Sequence, residues 1–253
     1  MAGIISPNRG FSWQLNIGCQ FVTFDLLGYN FYCINPGQVT KFVTATGDYV
    51  SAATFSFKGG KAITVLTAIT NGAGDVVTVW ASSGSIYVAA FTQSLGKTLT
   101  YAMEIAGASS ANIKTTRLVE STDSSYMMLS FLKSETEMAF YKIDSTSGNL
   151  LSSYVITSTI GNLNGGFWNP TTIRGYAFTN QAVIASPQDF AGNAIVNTIT
   201  VQQHSFTLVA GVGLKSEDIM LFASMPIAST IGQDFLKLVL SESGSISQNS
   251  GSA

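Results

Sequence analysis

Charge is what this sequence has least of. Its 253 residues include 12 Lys and Arg and 14 Asp and Glu, which is 10% of the chain and a formal net charge of −2. A soluble domain carries roughly 25% charged residues. Twelve scattered bases do not form the Lys/Arg surface that neutralises phosphates, which excludes a nucleic-acid partner. A mean hydropathy of +0.30 excludes intrinsic disorder, which needs low hydropathy and high charge. Histidine is scarcer still. His204 stands alone, so no histidine pair or His-rich metal site can be built. The two cysteines, Cys19 and Cys33, have no C-x-x-C spacing and cannot complete a tetrahedral zinc site. Neither a metal nor a cofactor is expected. No apolar run approaches the ~20 residues that span a bilayer as a helix, so no membrane insertion is expected. The one N-x-S/T spacing, Asn169-Pro170-Thr171, is spoiled by its proline. The first residues lack a basic stretch followed by an apolar one.

What replaces charge is Ser, Thr, Gly, Asn and Gln, set among β-branched and aromatic residues. Alternating or short continuous apolar runs recur at 20–25, 29–35, 63–69, 76–81, 86–92, 98–105, 126–132, 138–144, 150–157, 182–185, 195–201, 206–210, 219–225 and 235–240. Gly, Asn, Asp and Ser bound them, which is the pattern of strands and turns. No stretch carries the i, i+3, i+4, i+7 apolar spacing of a helix. The fold class is therefore all-β.

Self-similarity organises the strands. The clearest unit reads Tyr126-Met-Met-Leu-Ser-Phe-Leu, Glu137-Met-Ala-Phe-Tyr-Lys-Ile-Asp144, a turn through Gly148, then Leu150-Leu-Ser-Ser-Tyr-Val. A second runs from Asp218 through Gln233-Asp-Phe-Leu-Lys-Leu-Val-Leu240 to Gly244. Turn marks at Gly37, Gly96, Gly148, near His204 and at Gly244 give a period of about 50, that of a propeller blade. Five irregular four-stranded units follow, over 11–47, 62–107, 113–158, 171–211 and 217–246, with connectors near 107–112 and 159–169. A low-complexity Ser/Gly tail over 247–253 is expected to be flexible. The alternative is a β-sandwich, or two in tandem. The unit at 137–154, with its copy at 233–246, resembles the short β-propeller repeats of bacterial and protist surface proteins. That resemblance implies a β-propeller, and five units imply five blades.

Candidate chemistry is thin. His204 with Asp189 or Asp218 is the only conceivable nucleophile-activating pair, and no G-x-S-x-G elbow accompanies it. Asp25, Asp75, Asp144, Asp218 and Asp234 are the carboxylates available to a glycosidase-like site. Most occupy strand starts or turns, where such side chains accept backbone N–H bonds. The chain is expected not to be an enzyme. Trp80 reads as core. Trp168 and Asn169, in a Gly-rich loop, are the candidate ligand-binding residues for a sugar. Cys19 and Cys33 would lie on neighbouring strands of one hairpin, as a disulfide or as two buried thiols.

The expected function is that of a structural subunit whose main partner is itself. Charge normally guards sheet edges against pairing, and here it is sparse. The expected setting is extracellular, in a filament or coat on a cell or virion surface. The alternative is a carbohydrate-binding propeller whose partners are glycans.

Overall fold

The computed structural model describes residues 18–55, 64–96, 102–180 and 182–190. It also describes the backbone of strands at 4–6, 10–12, 99–101, 197–200, 207–213, 219–226, 233–240 and 246–251. Strands β1 (Ile4–Ser6) and β2 (Gly10–Ser12) pair only with each other. Five four-stranded antiparallel meanders follow in chain order. The first holds β3 (Phe21–Phe24), β4 (Asn30–Asn35), β5 (Gln38–Val43) and β6 (Tyr49–Thr54). The second holds β7 (Thr64–Thr70), β8 (Val76–Ser82), β9 (Ser85–Phe91) and β10 (Leu99–Ile105). The third holds β11 (Arg117–Glu120), β12 (Tyr126–Leu132), β13 (Glu137–Asp144) and β14 (Leu150–Thr157). The fourth holds β15 (Gly165–Asn169), β16 (Arg174–Phe178), β17 (Ala182–Ala185) and β18 (Asn197–Thr200). The last holds β19 (Thr207–Gly213), β20 (Ile219–Pro226), β21 (Gln233–Leu240) and β22 (Ile246–Gly251). Among the described residues there is no α-helix, only a 3₁₀ turn at Gln188–Phe190. Among these residues no helix is long and apolar enough to cross a membrane.

The turns explain the register. Pro36-Gly37 joins β4 to β5 with Gly37 at φ 70°, the positive φ a type II turn requires after its proline. Ser83 and Gly84, at φ 55° and 82°, form the two-residue loop between β8 and β9 whose twist matches the strands. Elsewhere an acidic or amide side chain closes the loop. Asn71 Oδ1 accepts the Asp75 N–H at 2.8 Å between β7 and β8. Asp144 Oδ1 accepts the Thr146 and Ser147 N–H groups, at 3.0 and 2.7 Å, between β13 and β14.

The chain divides into two compact units. In the one containing Met1–Ile113, the first two sheets share a core. Tyr32, Ile34, Val39 and Ala53 pack with Val65, Ala68, Val76, Trp80, Ala89 and Phe91. Trp80 is fully buried, as its place in an apolar strand predicts, and it stacks on Phe55 at 5.6 Å. In the other unit, Phe190 packs between Phe140 and Tyr154 at 5.4 and 4.7 Å. Gly175 on β16 leaves room for this, since a Cβ there would lie 2.9 Å from the Phe140 ring.

Three sequence expectations need correction. The first unit, read as 11–47, reaches Thr54, because β6 pairs with β5 in the same sheet. The stretch 159–169, read as a connector, supplies β15, so the fourth sheet begins at Gly165 rather than at 171. Gly166 mimics a loop residue but serves packing. A Cβ on Gly166 would sit 2.3 Å from the Tyr176 carbonyl oxygen. The expected flexible tail over 247–253 is a strand as far as Gly251, because β22 pairs along the length of β21. Backbone hydrogen bonds to a neighbouring strand do not depend on the polar composition that suggested disorder.

Gly166→Ala should therefore lower stability by about 2 kcal/mol or more in urea unfolding. Gly18→Ala, with nothing within 4 Å of the added carbon, should change it by less than about 0.5 kcal/mol.

Candidate interaction surface

The residues proposed from sequence fall into different roles. Trp168 and Asn169 lie on β15, not on a loop, and are 1% and 0% exposed. Trp168 pairs across the strands with Gly175, and Asn169 Oδ1 caps the following turn by accepting the Thr171 N–H at 2.9 Å. Neither presents a face to solvent. A recess of about 200 Å³ at the other end of the β15–β16 pair is lined by Ile160, Gly161, Asn162, Thr179 and Asn180, without an aromatic ring among them. Trp13, His204 and Asp218 lie outside the described residues, as does the side chain of Asp234.

Asp25 and Asp144 hold turns. Burial opposes ionisation of Asp25. Hydrogen bonds from the Asn30 side chain and from the backbone of Asn30, Tyr29 and Gly28 outweigh it and lower its pKa. Asn30 Nδ2 donates to Asp25 Oδ2 at 2.7 Å. The backbone N–H and hydroxyl of Ser147 likewise lower the pKa of Asp144, against a smaller effect of burial. Asp189 takes an ion pair from Lys142 at 3.1 Å. Burial, with the nearby charge of Asp25, pushes the Tyr32 phenol up to about 12. Among the described residues no group of three or more His, Cys, Asp or Glu is placed to hold a metal.

Cys19 and Cys33 are joined, with an S–S distance of 2.09 Å and Cα atoms 5.2 Å apart. The bond ties the segment before β3 to β4, where the Gln20 N–H also donates to the Ile34 carbonyl at 3.2 Å. Cross-linking a loop of sequence separation 14 is worth about 3 kcal/mol on the chain-entropy model.

The sequence reading missed the most distinctive surface. In the first sheet Phe24, Phe31, Phe42 and Tyr49 are cross-strand neighbours on successive strands. Their ring centroids are 6.3, 5.1 and 6.3 Å apart. The middle pair is buried, while Phe24 is 53% and Tyr49 64% exposed. Val22, Leu26, Leu27, Tyr29 and Val50 are exposed beside them. Seven of the eleven large hydrophobic residues exposed in the described structure thus fall between positions 22 and 50. The signal was present in sequence as aromatic residues on four adjacent strands, but their register was not.

No family model matches the chain, and no curated protein matches it. Solved structures do. The WD40 domain of SCAP from fission yeast has a TM-score of 0.58 at 10% identity, over 90% of this chain and 53% of that one. The chain thus spans about half the length of that relative. BamB from Moraxella catarrhalis has a TM-score of 0.54 at 12% identity, over 96% of this chain and 81% of that one. A putative 6-phosphogluconolactonase from Bacteroides fragilis has a TM-score of 0.61 at 14% identity, over 100% of this chain and 81% of that one.

These likenesses show the fold. The chain is an all-β protein, a β-propeller of about five irregular four-stranded blades. They also correct the expectation that it is not an enzyme, because similar structures include two putative 6-phosphogluconolactonases. That expectation rested on motifs absent along the sequence. A fold whose blades come from separate stretches can bring together groups that no local motif joins, and fold does not fix function.

Two outcomes follow from the site. Replacing the disulfide by Cys19→Ser with Cys33→Ala should lower stability by about 3 kcal/mol or more in denaturant. The Asp25 pKa is lowered in the folded state, so its contribution is present above the unfolded value of about 3.9 and is lost as pH falls through the folded one. Asp25→Asn should lower stability at neutral pH and flatten its decline in acid, measured by unfolding across a pH series.

Proposed function

We propose that this protein is a self-associating structural subunit of an extracellular assembly on a cell or virion surface. One observation carries the reading. Of the ten strands that edge the five sheets, eight carry no Lys, Arg, Asp or Glu. The exceptions are β10 with Glu104 and β11 with Arg117 and Glu120. Charged side chains, lysine above all, are the usual device that keeps exposed strand edges from pairing with another chain. β14 is the clearest case: its first four residues, Leu150 to Ser153, are all exposed.

Electrostatics offers little opposition. Two copies, each of net charge −2, about 30 Å apart repel by only ~0.5 kcal/mol in water before salt screening. The Cys19–Cys33 bond supports the extracellular setting, since disulfides persist in oxidising compartments. The resemblance of 137–154 to surface-protein repeats points the same way.

Sedimentation velocity on the full chain, over a concentration series, tests this. The expected result is reversible association that changes little between about 0.05 and 0.5 M salt, because few charges lie at the contacts. A monomer throughout the series would remove the reading.

A further inference from the structure

The first sheet has two dissimilar faces. On one, Tyr32, Ile34, Val39 and Ala53 meet the second sheet. The other carries Val22, Phe24, Phe31, Cys33, Phe42 and Tyr49, which the register places side by side. Only part of this second face is covered. Phe31, Cys33 and Phe42 form a buried cluster with Cys19 against it, while Val22, Phe24 and Tyr49 stay 43%, 53% and 64% exposed. Leu26, Leu27 and Tyr29 of the β3–β4 turn continue the exposed area, at 59%, 75% and 70%.

An exposed apolar patch of this density marks an interaction site. Resting on the self-association proposed above, we infer that this face is a contact surface and that its occupant is the same face of a second copy. The absence of charge argues for that occupant. Over 18–55 the only ionic residues are Asp25, Lys41 and Asp48. Asp25 is engaged by Asn30, and Asp48 accepts the Thr46 hydroxyl at 2.7 Å. Lys41 donates to the Gln93 carbonyl at 3.1 Å and lies over the Tyr32 ring. The face therefore has no cation for lipid headgroups or acidic peptides, and nothing to select a charged partner. A neutral apolar and aromatic surface complements itself, as a two-fold contact requires. Phe24 and Tyr49 supply the aromatic anchors that concentrate binding energy. The disulfide, on the same face, stiffens it.

The test uses the full chain and the variants Leu27→Lys, Leu27→Glu, Tyr49→Lys and Tyr49→Glu. All four change exposed side chains, and circular dichroism with disulfide mapping confirms their folding. Sedimentation should show each variant associating at least about tenfold more weakly than the parent chain. Mixing Lys variants with Glu variants, at one position or across Leu27 and Tyr49, should restore association in at least one combination, because the two halves of a two-fold contact then carry opposite charges. Variants that associate as tightly as the parent overturn this face and leave self-association standing. Weakened association that mixing does not restore overturns the face-to-itself contact, as does capture of the parent chain by phosphatidylcholine vesicles through this face. A parent chain that stays monomeric overturns the inference together with the reading beneath it.

Discussion

The structure depends on one constraint: a four-stranded sheet with apolar residues on both faces cannot stand alone. The first sheet shows how it is met. One face buries Tyr32, Ile34 and Val39 against Val65, Ala68 and Trp80 of the second sheet. Its other face carries Phe31, Cys33 and Phe42 inward and leaves Phe24 and Tyr49 open. Each buried aromatic or branched side chain contributes roughly 1.5–3 kcal/mol, so stacking of sheets is the main source of stability. The same logic makes an uncovered face a place where something else should bind.

Charge has a limited and specific use in this molecule. Asp25 and Asp144 accept backbone N–H groups in turns, and Asp189 pairs with Lys142. Few charges are left for the strand edges. A turn carboxylate of this kind is a structural element, and this is why spacing of aspartates along the sequence does not locate a catalytic pair. Glycine is used in two ways. Gly37 supplies a positive φ, whereas Gly166 supplies room beside the Tyr176 carbonyl.

Much of the fold was legible in sequence. Alternation and turn residues gave the strands, and the repeat around Asp144 and Gly148 gave the four-stranded unit. The strands β5 and β6 were missed although apolar residues recur in them, and β15 and β22 were not legible, because Gly-Gly and Ser/Asn/Gly stretches carry no apolar alternation and owe their conformation to the strand beside them. Trp168 looked like a loop residue for the same reason, and it is buried. The interaction surface was hidden for a different reason. Phe24, Phe31, Phe42 and Tyr49 become neighbours only through register, and register depends on turn geometry and on the irregularity between Lys41 and Phe42. The exclusion of enzymatic activity failed because it treated local motifs as the only route to a site.

The central claim is that copies of this chain meet through an uncharged apolar surface on the first sheet. Hydrogen exchange of the full chain, read by mass spectrometry at low and high protein concentration, tests it most directly. The account predicts that raising the concentration slows exchange in peptides covering 21–29 and 49–54, and leaves the Trp80 strand unchanged. Exchange that is independent of concentration in those peptides, or that slows only elsewhere, would contradict it.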